Sequence, residues 1–89
     1  MPTVQLLIKG KVQGVFYRAS AKEVAKEIGI TGWISNSDNG DVEAIVSGTQ
    51  TQLNAFITWC QHGPKRAEVS EVVISKVEDQ NFKNFSINR

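Results

Sequence analysis

The sequence predicts an α+β fold, with one antiparallel sheet and two helices on one face of it. Two observations predict it. Short β-branched runs alternate with stretches whose apolar residues recur at helical spacing, and the elements follow the order β-α-β-β-α-β. The chain has 89 residues, 40% hydrophobic and 21% charged, as expected for a single domain that spans residues 1–89.

The first strand and the first helix are separated by a turn that contains two glycines. The run TVQLLIK, from Thr3 to Lys9, is β-branched and apolar and ends at Gly10, which favours a strand. Ser20 and Glu23 have capping-box spacing, so the helix begins there or two or three residues earlier, directly after the turn. Four apolar residues at i, i+3, i+4 and i+7 form its buried stripe before Gly29. They are Ala21, Val24, Ala25 and Ile28.

The middle of the chain predicts a β-hairpin. The runs at residues 30–37 (ITGWISNS) and 41–47 (DVEAIVS) are extended, and Asp38-Asn39-Gly40 separates them. Asn-Gly between two such runs is a strong hairpin signal, because both residues tolerate the left-handed backbone of a tight turn. These runs are therefore the second and third strands.

The second helix follows Gly48. Thr49 and Gln52 have capping-box spacing, and the helical pattern stops at residues 62–64, His-Gly-Pro. Its apolar stripe is Leu53, Phe56, Ile57 and Cys60. Because Cys60 lies on this stripe, we expect a buried thiol and not a nucleophile, and we expect His62 to interact with the last carbonyl groups of the helix.

The last part of the chain predicts a fourth strand from Glu68 to Val77 and a short fifth strand around Phe85 and Ile87. The full order is that of the ferredoxin-like fold. In that fold the first and second strands are parallel and the third lies between them, so both end at the same edge of the sheet. The turn after the first strand is therefore expected near Asn36, which closes the second.

The turn itself has the chemistry of an anion site. A loop that leaves a strand and opens a helix presents backbone N–H groups without intrahelical partners at the positive end of the helix dipole. Gly14 permits a positive φ and a close approach, and the planar guanidinium of Arg18 suits two phosphate oxygens. The nucleotide motifs GxxxxGK[ST] and GxGxxG are absent, so a nucleotide is not indicated.

Three stretches together resemble the acylphosphatase family. GKVQGVFYR at residues 10–18 resembles its first motif, G-x-V-Q-G-V-x-[FY]-R. GWISNSDNGDVE at 32–43 and GPKRAEV at 63–69 are similar to its second motif and a third stretch. The match spans nearly the whole chain, and three motifs in order make it specific. Asn39 departs from the aspartate that many members carry, at the hairpin tip and away from Arg18 and Asn36.

This resemblance implies hydrolysis of an acyl phosphate to a carboxylate and inorganic phosphate, with the phosphate also acting as an inhibitor. Asn36 would orient the attacking water, and Arg18 would be the second catalytic residue. No metal and no cofactor are implied. A carboxylate leaves without being protonated, so no general acid is required either. The phosphate-binding residues implied are Gly14, Val15, Phe16, Tyr17 and Arg18. The Tyr17 side chain could either pack in the core or border the site, and we expect packing.

Composition excludes several other classes of function. A net charge of +1 is too balanced for an obligate nucleic-acid binder, and one cysteine with one histidine provides no metal-ligand set. The start MPTVQLLIKG lacks signal-peptide features, so we expect a soluble, cytoplasmic protein without membrane contact. Separately, we expect a monomer. Two alternatives are an RNA-binding ferredoxin-like module, which needs aromatic residues that DVEAIVSG lacks, and a domain that uses carbamoyl phosphate.

Overall fold

The computed structural model describes residues 1–88 and confirms the predicted order of elements. Each helix and strand lies within three residues of its predicted bounds. The elements are β1 (Thr3–Lys11), α1 (Tyr17–Ile28), β2 (Thr31–Asn36), β3 (Val42–Ser47), α2 (Gln50–His62), β4 (Glu68–Val77) and β5 (Phe85–Ile87).

The five strands form one sheet in the order β4-β1-β3-β2-β5. β1 pairs antiparallel with β3 and β4, and β2 pairs antiparallel with β3. β1 and β2 are therefore parallel with β3 between them, as predicted. The ladder between β1 and β4 shifts register between Lys9 and Gly10, which marks a β-bulge.

The sheet differs from the predicted antiparallel arrangement at one edge, where β5 pairs parallel with β2. The reason is the path of residues 78–84. After β4 the chain returns along the sheet end, so β5 runs opposite to β4 and in the direction of β2. Two hydrogen bonds tie the returning segment to the sheet: the Gln80 N–H donates to Thr3 Oγ1 at 2.9 Å, and Ser47 Oγ donates to the Gln80 carbonyl at 3.2 Å.

The core lies between the sheet and the helices. Alternate residues of β1, β2 and β3 face it and are fully buried, as period-two strands predict. They are Leu6, Ile8, Ile34, Val42, Ala44 and Val46. The buried helix residues that pack against them include Ala21, Ala25, Leu53, Phe56 and Cys60, all of which come from the two predicted stripes.

The two helices begin differently. The predicted capping box of α2 is confirmed, because Thr49 Oγ1 accepts from the Gln52 N–H at 3.1 Å and Gln52 Oε1 accepts from the Thr49 N–H at 2.8 Å. α1 begins at Tyr17, directly after the glycine turn, and has no side-chain cap. Of the two starts that the sequence allowed, the earlier one is observed.

Gly32 allows β2 to approach β3 closely. Its φ is +139°, and a Cβ at this position would collide with the Ile45 carbonyl oxygen and lie 2.9 Å from the Val46 Cα. Gly40 at the hairpin tip also has a positive φ, of +95°, but a Cβ there would meet nothing within 4 Å. A side chain at Gly40 would therefore cause backbone strain alone, whereas a side chain at Gly32 would cause both strain and a steric collision.

We expect Gly32→Ala to destabilise the protein more than Gly40→Ala. Gly40→Ala adds only the cost of a left-handed alanine, about 1 kcal/mol, whereas Gly32→Ala adds collision with β3 and should cost about 2 to 4 kcal/mol in total. Urea unfolding followed by circular dichroism measures both. Equal losses for the two variants would contradict the close approach of the strands.

Candidate active site

A pocket of about 350 Å³ opens at the end of the sheet where β1, β2 and β5 finish. The turn after β1 and the first turn of α1 form one side of it, and the last residues of β2 and β5 form the other. The lining residues are Val12, Gly14, Phe16, Tyr17, Arg18, Ala19, Asn36 and Ile87. The turn and Asn36 are thus brought together as the predicted topology requires.

The turn before α1 has an unusual backbone. Gly14 has a φ of +75° and Phe16 a φ of +64°, and Phe16 is the one non-glycine residue with positive φ in the described chain. A Cβ on Gly14 would meet nothing within 4 Å, so conformation and not space requires glycine there. A bulky residue in this region costs about 1 to 3 kcal/mol, and such strain concentrates at functional sites.

The first turn of α1 presents unpaired amide groups to the pocket. The first hydrogen bond of the helix is donated by the Ser20 N–H to the Phe16 carbonyl at 3.0 Å. The N–H groups of Tyr17, Arg18 and Ala19 therefore precede the helical ladder, and the first turn carries no acidic residue. With the positive end of the helix dipole, these donors form an anion site.

Asn36 occupies a position where the sheet pattern calls for an apolar residue. It pairs with Val42, which pairs with Ile8, and both of these residues are fully buried against the helices. The Asn36 Oδ1 atom is buried, and it is the one buried side-chain polar atom among residues 1–88 without a hydrogen-bond partner. Such an atom costs about 1 to 3 kcal/mol, so a ligand or water in the pocket is its natural partner.

Gln13 ties the turn to the hairpin that carries Asn36. Its Nε2 donates to the Ser37 carbonyl at 2.8 Å and to the Asp41 carbonyl at 2.9 Å. The role of Gln13 was not predicted from the sequence, because its partners are 24 and 28 residues away and depend on the hairpin register. Its place between Val12 and Gly14 in the first motif was the signal available.

Tyr17 links the start of α1 to the end of α2. Its hydroxyl donates to the Cys60 carbonyl at 2.7 Å. Proline has no N–H, so Pro64 cannot donate the helical bond to this carbonyl, and Tyr17 replaces it. The ring is buried, its centroid lies 5.3 Å from that of Trp59, and burial raises the pKa of the hydroxyl. Packing is thus the main role of Tyr17, as expected, although it also lines the pocket.

Three other residues that the sequence singled out, Cys60, His62 and Val15, do not line the pocket. The Cys60 thiol is buried outside the pocket, and burial raises its pKa to about 12, so it stays protonated at neutral pH. The His62 Nδ1 lies 3.0 Å from the Thr58 carbonyl oxygen at the end of α2. The Val15 side chain is buried in the core, and Val15 is not among the residues that line the pocket.

Two further findings concern residues 1–88. In this range no three His, Cys, Asp or Glu side chains are grouped so that they would hold a metal ion. Neither α1 nor α2 has the length and apolar character needed to cross a membrane.

Comparison with known proteins shows which family has this fold and site. The acylphosphatase family model matches residues 4–87. An acylphosphatase of Marinobacter nauticus is 47% identical over 81 residues, which cover 90% of this chain and 88% of that protein. The solved acylphosphatase from Coxiella burnetii has a TM-score of 0.94 at 32% identity and covers 98% of this chain and 92% of that one. For the acylphosphatase from Bacillus subtilis the TM-score is 0.96 at 26% identity, with full coverage of both chains.

The chain belongs to the acylphosphatase family. The predicted resemblance and the predicted ferredoxin-like fold are both confirmed. The family is one of hydrolases, and its substrates are acyl phosphates.

We expect Gln13→Ala to lower kcat/KM for acyl phosphate hydrolysis about 10- to 100-fold, because the turn loses its hydrogen bonds to the hairpin that carries Asn36 and small displacements of reacting groups are costly. Its effect on stability should be only about 1 kcal/mol, since both carbonyl groups retain backbone partners. Gln5→Ala is the matched control, because the Gln5 amide also donates a hydrogen bond between distant parts of the chain, to Glu43, but Gln5 lies in β1 and not in the turn before α1. A folded Gln13→Ala protein with activity within twofold of the parent would show that the connection is unimportant.

Proposed function

We propose that this chain hydrolyses the carboxyl-phosphate bond of acyl phosphates, with Arg18 and Asn36 as its catalytic residues. The observation that carries the proposal is the buried, unpartnered Asn36 Oδ1 in a pocket that also contains Arg18 and the free amide groups of α1. An oxygen acceptor beside an anion site is suited to hold a water molecule next to a bound phosphoryl group.

The phosphoryl group would bind at the start of α1. The backbone N–H groups of residues 14–18 donate to its oxygens, and the guanidinium of Arg18 adds two parallel donors and a positive charge. Phosphoryl transfer has a loose transition state with charge on the equatorial oxygens, so orientation and preorganised donors supply most of the catalysis. Strain at Phe16 is consistent with a backbone held in advance for this purpose.

The reaction needs little acid–base chemistry from the protein. The conjugate acid of the leaving carboxylate has a pKa of about 4, so the carboxylate departs without protonation. Asn36 Oδ1 accepts one hydrogen bond from the attacking water, and the second proton of that water faces a substrate phosphate oxygen, which takes it. The lining residues include only two ionisable side chains, Tyr17 and Arg18, and the raised pKa of the buried Tyr17 hydroxyl keeps it protonated.

The remaining features of the proposal follow from the pocket. Inorganic phosphate, the product, would occupy the same amide groups and inhibit competitively. The turn after β1, the start of α1 and the ends of β2 and β5 lie in one domain and form the pocket between them, so we propose that a single copy of this domain is active.

Arg18→Ala should lower kcat/KM at least about 100-fold, because a charged donor to the transferred group is lost. It should also abolish the rise in melting temperature that millimolar phosphate produces in the parent protein, since that rise reports binding to the native state. Arg18→Lys keeps the charge without the two parallel donors and should recover little activity. Arg66→Ala, at an exposed arginine outside the pocket, is the control. Parent-like activity and phosphate protection in Arg18→Ala would rule out this residue as the phosphate clamp.

Asn36→Ala should lower kcat about 100- to 1000-fold and leave phosphate affinity nearly unchanged, because only the attacking water uses the lost oxygen. Asn36→Leu has nearly the same shape and removes a buried unpaired acceptor, so it should unfold at higher urea concentration than the parent while remaining inactive. Steady-state kinetics, phosphate titration and urea unfolding distinguish these effects. Full turnover by either folded variant would refute the role of Asn36 in orienting water.

A further inference from the structure

Phe16 is an exposed aromatic residue at the mouth of the site. Three large apolar residues are exposed in the described chain, Met1, Phe16 and Ile74, and Phe16 is the most exposed of them at 74%. It is also the only one of the three that lines the pocket. Scattered exposed apolar residues need no explanation, but one that borders a ligand pocket is a candidate contact for the ligand.

Binding of phosphate does not explain a phenylalanine at this position. In the motif G-x-V-Q-G-V-x-[FY]-R, residue 16 is a variable position, so the motif does not specify the side chain there. Its contribution to the anion site is a backbone N–H, which any residue except proline supplies. Asparagine or glycine would adopt the observed φ of +64° at lower cost. The aromatic ring is therefore present although it makes this backbone conformation more costly.

The pocket has room for more than a phosphoryl group. At about 30 Å³ for each water-sized group, the five heavy atoms of a phosphate occupy roughly 150 Å³. That is less than half of the pocket volume of about 350 Å³. Besides the polar groups of Arg18 and Asn36, the lining includes Val12, Phe16 and Ile87, which are apolar. The remaining volume therefore has walls suited to an apolar group.

We propose that Phe16 is a specificity-determining residue that contacts the acyl group and gives the enzyme a preference for acyl phosphates with an aromatic acyl group. This inference rests on the proposed function, because it assumes that the phosphoryl group binds at the start of α1. An aromatic acyl group buries its face against the Phe16 ring and gains from ring–ring contact, whereas an acetyl group is too small to cover the ring.

The test compares kcat/KM for benzoyl phosphate and acetyl phosphate in the parent protein and in Phe16→Ala. The two substrates share the phosphoryl group, so any effect of the substitution on phosphate binding divides out of their ratio. We expect the benzoyl-to-acetyl ratio to fall about 10-fold in Phe16→Ala, the scale of one lost aromatic contact. Phe16→Tyr retains a ring and should keep the parent ratio.

Two further variants make the result unambiguous. Phe16→Gly removes the ring with a residue that favours the left-handed backbone and brings no capping side chain, so it should fold and show the same fall in the ratio. Ile74→Ala removes an exposed apolar residue outside the pocket and should leave the ratio unchanged. If the parent hydrolyses both substrates and the ratio changes less than twofold in Phe16→Ala and Phe16→Gly, the inference is overturned and the proposed function stands. A parent protein that hydrolyses neither substrate overturns both.

Discussion

The N–H groups at the start of α1 lack a capping side chain, because Phe16 occupies the N-cap position with a left-handed backbone. The other parts of the site depend on this arrangement. A serine or aspartate cap would satisfy the same donors and occupy the space in which an anion binds. Here the donors stay unsatisfied within the described chain, and the positive end of the helix dipole adds to them. The missing cap makes the start of α1 less stable but leaves its N–H groups free to bind an anion.

Such a helix start needs support from elsewhere in the fold, and two side chains provide it. Tyr17 ties it to the end of α2, at the carbonyl of Cys60 that has no helical donor because of Pro64. Gln13 ties the preceding turn to the hairpin that follows β2. Each of these hydrogen bonds joins groups that are far apart in sequence. The turn is thereby fixed on both sides, which reduces the reorganisation needed when a phosphoryl group binds.

Local patterns in the sequence predicted the fold well. The hairpin and the cap of α2 rest on neighbouring residues, so their signals, Asn39-Gly40 and Thr49 with Gln52, lie within four residues. The start of α1 could not be fixed in this way, because Ser20 and Glu23 have capping-box spacing by coincidence. Ile87 was not predicted in the pocket, since the pairing of β5 depends on the path of residues 78–84. The catalytic roles came from the family motifs, whereas the anion site at Gly14 and Arg18 followed from the glycine turn and the closeness of Asn36 followed from the predicted topology.

The β-bulge opposite Lys9 and Gly10, at Ser70 of β4, affects how the molecule interacts with its own copies. β4 is an edge strand of ten residues, and a straight edge of that length is a template on which another chain can add a strand. Ser70 is the extra residue of the bulge, so β4 itself has increased local twist, and exposed charges at Glu68, Glu71 and Lys76 lie along the edge. Twist and charge together disfavour pairing of β4 with the edge of another copy.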